Sequence, residues 1–185
     1  MIKPTDELRQ EHDAILEMLK VMESILKKKE SGEPYHLAQL EEAVEFLKLF
    51  ADLCHHGKEE DYLFPALEQA GIPREGGPIG VMLQEHIMGR AFIRGISDGI
   101  LRKKVNDPEA DGIITRNMES YIQLLTQHIQ KENNILFTLA EMHLDEGVQK
   151  EISLGFRKVE TERLGPGKHE ELKQILNNLK SACLE

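Results

Sequence analysis

Tryptophan is absent from this chain of 185 residues, and cysteine occurs only twice, at Cys54 and Cys183. Two thiols do not make a disulfide framework, so a reduced setting is expected. No stretch approaches the roughly 20 consecutive apolar residues needed to cross a bilayer. The opening residues, Met1-Ile2-Lys3-Pro4, lack an apolar run of signal-peptide type. A cytoplasmic protein with no membrane partner is the expectation. Positive charge is scarce as well: 23 Lys and Arg against 33 Asp and Glu give a formal charge of −10. Nucleic acid is excluded as a partner on that ground, because phosphate binding needs a positive footprint. The one basic cluster, Lys27-Lys28-Lys29, is closed by Glu30 and suits the last turn of a helix.

What is present is Leu, Ile, Met, Glu and Lys, with aromatics held to 5%. That is the composition of a helical bundle, long enough to bury a core without staples. Turn residues divide the chain into four long helices: from Thr5 or Asp6 to Glu30, from Pro34 to about Ala70, over 79–104, and from Asp107-Pro108 over 108–143. Pro65 should kink or shorten the second helix. Short connections favour antiparallel neighbours, so the expected fold is all-α: an up-down-up-down antiparallel four-helix bundle over residues 1–143. Residues 144–185 read as a C-terminal helical extension packed on the bundle, with helices over 145–160 and 168–182 around Gly165-Pro166-Gly167.

An internal repeat carries the chemistry. Gln10-Glu11-His12 is followed by His55-His56-Gly57-Lys58-Glu59 and then Leu63-Phe64. Gln84-Glu85-His86 is followed by His128-Ile129-Gln130-Lys131-Glu132 and then Leu136-Phe137. Each half offers a lone histidine and a His/Glu pair at i,i+4, a spacing that shares one helix face. These residues also interrupt apolar seams. His12 lies between Leu8 and Ile15, His86 between Met82 and Gly89, His55 and Glu59 between Ala51 and Tyr62, and His128 and Glu132 between Leu125 and Ile135.

Carboxylates on core seams are costly unless paired or bound to metal. Four imidazoles and two carboxylates converging on one point make a two-metal site, with His12, His55, Glu59, His86, His128 and Glu132 as ligands. His56 and Glu60 form a further i,i+4 pair, but the stripe above them (Glu42, Glu45, Leu49, Asp52) is polar, so the dry pair is chosen. His36, His143 and His169 need only solvated or capping roles. Lys58 and Lys131 are expected to snorkel to the rim, and Cys54 to be a buried, inert thiol. Tyr62 and Tyr121 fall on the seams within reach of the metals. The plain role of core tyrosines suits them best.

Imidazole and carboxylate without thiolate suit iron, manganese or zinc. The expected cofactor is two iron ions with an oxo or hydroxo bridge, with zinc or manganese as possible substitutes. Each ion would keep an open position for a small molecule, whereas a structural zinc site would be closed.

At these residues the sequence resembles the hemerythrin-like (HHE cation-binding) family of non-haem di-iron proteins, including its bacterial members. The resemblance spans roughly residues 5–140 and rests on His55-x-x-x-Glu59 running into Leu63-Phe64-Pro65, on Glu85-His86, and on His128-x-x-Lys131-Glu132-Asn133-Asn134. It implies a left-handed four-helix bundle with two irons at its centre, held by the same six residues. Oxygen-carrying members have a second histidine one turn after the third helix's histidine, where this chain has Arg90, and close the fourth helix with His-x-x-x-x-Asp. The resemblance therefore implies a di-iron protein that binds or senses dioxygen or nitric oxide, or handles iron. Its alternative is a stress-related enzyme or repair factor, acting in iron–sulfur cluster repair or in peroxide or nitric oxide reduction. The oligomeric state is left open.

Overall fold

The computed structural model describes residues 2–184; Met1, the first residue of the leader reading, and Glu185, the last of the extension, lie outside them. The described residues form six helices and no strand. Helix α1 is Pro4–Glu30, with Pro4 in its first turn, Asp6 and Glu7 beside it, and Lys27, Lys28 and Lys29 in the last turn. Those charges oppose the helix dipole at both ends. Helix α2 covers 37–69, α3 is Pro78–Lys104, and α4 covers 110–143. Helix α5 covers 146–164 and α6 is Lys168–Leu184. None of the described helices is long and apolar enough to cross a membrane.

Several boundaries differ from the sequence reading for local reasons. Helix α2 begins at Leu37, not at Pro34, because the Tyr35 hydroxyl is tied to Asp111 at 3.1 Å and His36 is extended. Asp107 does cap the turn before α4, accepting from the Glu109 amide at 2.9 Å, but regular helix starts only at Ala110. Asp145 caps α5 by accepting from the Val148 amide.

Pro65 does not end α2, which continues to Gln69. Here α2 passes through a π-helical stretch, Glu59–Leu63, in which the Phe64 amide bonds the Glu59 carbonyl five residues back. The wider turn hands over to Phe64–Gln69 with proline in its first turn, where a missing N–H costs little. Helix α4 repeats the device at Glu132–Leu136, with the Phe137 amide on the Glu132 carbonyl. A further π-helical stretch, Leu47–His56, carries both histidines of α2, His55 and His56, in its last turn.

These wide turns shift the inward register. Beyond Glu59 the buried residues are Leu63, Phe64 and Leu67, whereas Tyr62 is only half-buried. Beyond Glu132 they are Leu136, Phe137 and Ala140, while Ile135 is exposed. Elsewhere the predicted seams are buried as read: Leu8 to Leu26 on α1, Ile79 to Ile100 on α3, Ile114 to Leu125 on α4.

Two apolar clusters result. The larger runs from Ile15 and Phe50 to Ile114 and is closed by Leu172, Leu176 and Leu179 of α6. The smaller joins Leu8, Phe64, Ile79 and Phe137 and is closed by Ile152 and Phe156 of α5. A layer of buried polar side chains lies between them.

Candidate metal centre

The layer contains His12, His55, Glu59, His86, His128 and Glu132, each no more than 1% exposed. All six predicted residues are therefore brought together. Glu59 directs Oε1 at His55 Nε2, 3.5 Å away, and Oε2 at His86 Nε2, 3.4 Å away. Glu132 directs Oε2 at His12 Nε2 and Oε1 at His128 Nε2, both at 3.1 Å. Each carboxylate thus spans two histidines. His86 and His128 approach to 3.2 Å through their Nε2 atoms.

His56 is a seventh member and corrects the sequence reading. It is buried, not on a wet face, and its ring stacks on His86 at 3.8 Å. The π-helical stretch Leu47–His56 accounts for the difference, since turns wider than α bring a neighbouring position inward. Two groups could each hold a metal ion: His12, His55, Glu59 and Glu132 in one, His56, Glu59, His86 and His128 in the other.

The outer nitrogens are all occupied. His12 Nδ1 meets Asn133 Oδ1 at 2.8 Å, His55 meets Glu11 at 2.9 Å, and His56 meets Asp52 at 3.3 Å. His86 meets Glu60 at 2.7 Å and His128 meets Glu85 at 2.9 Å. Ionised carboxylates only accept, so these Nδ1 atoms donate, and Nε2 is left as the inward, metal-facing nitrogen of each ring. Such outer partners orient metal-binding imidazoles and raise their basicity. Sequence reasoning missed all five of them. The signal lay in the repeat, because the glutamate of each Gln-Glu-His serves the histidine of the following His-x-x-Lys-Glu.

The fit of a metal rests on what is left unpaired. Both oxygens of Glu59, both of Glu132 and His12 Nε2 are buried without a hydrogen-bond partner. Buried polar atoms are rarely left so, and hard or borderline cations suit this oxygen and nitrogen set. Without a cation the site is electrostatically strained. Burial and the facing Glu132 push Glu59 well above the usual carboxylate range. Against burial, His128 and His12 hold Glu132 well below it. Burial lowers His55 to about 4, and burial with the crowding of His86, His55 and His128 pushes His56 down. His128, against its burial, is raised to about 9 by Glu132 and Glu85.

Around the site, Arg90 donates to Asp52 at 2.7 Å and to Glu60 at 2.8 Å, tying together the partners of His56 and His86. A cavity of about 160 Å³ opens here, lined by His56, Arg90, Asp52 and Tyr121 among others. Tyr121 is thus near the site, whereas Tyr62 faces Gly155 of α5. Phe137 stacks on His12 at 5.3 Å and Phe64 on His86 at 5.8 Å, so each half's Leu-Phe covers the other half's lone histidine.

Lys58 is the second correction. It is wholly buried and donates to Glu7, Glu11 and Glu160, not to solvent. Lys131 lies nearer the rim, bonded to Glu85. Cys54 is buried and its thiol is pushed up to about 12, chiefly by burial, as an inert thiol should be. Of the control histidines His36 and His143 are exposed, but His169 stacks on Phe50 at 5.2 Å.

An all-helical fold with paired buried His/Glu groups defines a class of helical metal-binding proteins. This chain belongs to the hemerythrin HHE cation-binding domain family, which matches residues 3–140. Uncharacterized proteins of Mycobacterium bovis and of Mycobacterium tuberculosis are each 23% identical to it over 132 residues, which is 71% of this chain and 51% of theirs. The chain spans about half the length of these curated relatives.

Proposed function

We propose that α1 to α4 form an up-down-up-down antiparallel bundle, and that His12, His55, Glu59, His86, His128 and Glu132 hold two iron ions, with His56 as a fifth imidazole. Residues 144–185 are then an extension of that unit. The observation that carries this reading is the pair of unpartnered carboxylates, each aimed at two Nε2 atoms. A dinuclear iron pair supplies reversible one-electron chemistry and open positions for a diatomic ligand. We infer binding or sensing of dioxygen or nitric oxide, or iron handling, as its use.

The chain's own residues have definite parts in this. Glu11, Glu85, Glu60, Asp52 and Asn133 hold protons on Nδ1 and keep Nε2 free to bind. Phe64, Phe137 and the two apolar clusters exclude water from the carboxylates, which strengthens every charge interaction there. The cavity beside His56, with Arg90 at its wall, offers a small molecule an approach to the centre.

The test is optical. Ferrous protein prepared without oxygen is exposed to dioxygen, and separately to nitric oxide, and then returned to vacuum. A spectrum that changes and then reverts supports binding or sensing. One that changes irreversibly moves the reading to turnover, and no response to either gas contradicts it.

A further inference from the structure

We propose that the C-terminal extension positions the metal centre: Glu160 of α5, acting through Lys58 and Glu11, fixes the imidazole of His55. The inference rests on the reading of His55 as a ligand.

Lys58 Nζ donates to Glu7 at 2.7 Å, to Glu11 at 2.5 Å and to Glu160 at 2.6 Å. These three bonds use every hydrogen of the ammonium. The second oxygen of Glu11 accepts from His55 Nδ1 at 2.9 Å. An unbroken line of hydrogen bonds therefore runs from the extension to a histidine at the centre. Removing the Glu160 carboxylate leaves a buried cation short of an acceptor and dependent on Glu7 and Glu11 alone, which disturbs the Glu11 that holds His55.

The other half of the repeat supplies an internal comparison. Lys131 is bonded to Glu85, which holds His128, but its side chain is 36% exposed where that of Lys58 is 0% exposed. Among the described residues, nothing from the extension bonds it. The two lysines differ here because Glu160 and Phe156 of α5 meet Lys58 and not Lys131.

The extension is seated with little freedom. A methyl group on Gly155 would collide with the Tyr62 ring, and one on Gly57 would come within 2.9 Å of the Arg163 guanidinium. Arg163 pairs with Asp61. The ring of Phe156 lies 5.4 Å from Lys58 Nζ, a cation–π contact that holds α5 to the same ammonium. His169 of α6 joins Glu11 and Glu160 in a cluster that could itself suggest a cation site. The Lys58 ammonium already stands between those carboxylates.

The experiment titrates cobalt(II), an optical probe of metal geometry, into full-length metal-free protein. Wild type, Glu160→Gln, Glu85→Gln and Leu176→Ala are compared, with thermal midpoints measured alongside. Two binding events are expected in wild type. E160Q should weaken one event by roughly tenfold or more and alter its cobalt absorption, while leaving the other as it was. E85Q should weaken the other event. L176A, a cavity in the distant α6 packing, should lower the midpoint and leave both events unchanged. Should E160Q not fold, Glu160→Asp, which shortens the reach and keeps the charge, is read the same way. Wild-type events and spectra in E160Q would overturn the inference. So would an equal weakening of both events that L176A reproduces. Wild type that takes up no cobalt would overturn the dinuclear reading itself, which the variants alone do not test.

Discussion

Glu11 holds His55 by a 2.9 Å hydrogen bond across 44 residues of sequence, and Glu85 holds His128 at the same distance across 43. Each glutamate also takes a lysine, Lys58 or Lys131, on its second oxygen. The repeated words Gln-Glu-His and His-x-x-Lys-Glu are thus one interaction written twice. The copies differ in burial, and their costs should differ with it. Glu11→Ala leaves the buried Lys58 with fewer countercharges and should destabilise by about 3–5 kcal/mol. Glu85→Ala, beside a half-exposed lysine, should cost about 1 kcal/mol. Urea unfolding of the two metal-free variants checks the order.

His56 has Ile129 as its counterpart in the second half, and both are buried. The substitution His56→Ile should therefore keep the fold. It removes an imidazole that burial already holds neutral, so the metal-free thermal midpoint should stay level or rise. Metal competition should show one of two ions bound more weakly. Unchanged affinity at both would remove His56 from the centre.

Burial and the facing Glu132 push Glu59 well above the usual carboxylate range when no metal is bound, which favours its neutral acid form. A folded-state shift in that direction costs stability wherever the group is ionised in the unfolded chain. Glu59→Gln copies the neutral acid and removes that cost, so it should raise the metal-free midpoint while weakening metal binding roughly 10-fold or more. Calorimetry of the metal-free pair, followed by metal titration, checks both halves of the expectation.

The stability of the metal-free protein should peak near pH 6.5. Burial lowers His55 to about 4 from 6.5, so stability falls as acid is added through that window. Glu11 is held at about 2, against its burial, by His55 and Lys58, which extends the loss downward from 4.5. His128, raised to about 9, contributes fully below pH 6.5 and loses that contribution as pH rises through 9. Binding needs the neutral imidazole, so metal uptake near neutral pH should release a proton and strengthen toward pH 9. Urea midpoints and metal affinities measured across pH 4 to 10 check both trends.

The repeat and the seams made the six central residues legible, because acids and imidazoles on apolar stripes are costly to bury unless a cation or a partner meets them. What stayed hidden has one main physical source. The π-helical stretches at Leu47–His56, Glu59–Leu63 and Glu132–Leu136 change the helix period, and a reading at 3.6 residues per turn cannot see them. They turned His56 inward, moved Tyr62 off the seam and exchanged Ile135 for Leu136. Lys58 was misread for a different reason. Its partner Glu160 is 102 residues away on the extension, and no local pattern announces that meeting.

Metal content tests the central claim most directly. Protein loaded with ferrous iron without oxygen, freed of excess and analysed for iron against chain concentration, should carry two irons per chain, and His128→Ala should carry one. Wild type that retains one iron or fewer under the same treatment would contradict the dinuclear centre.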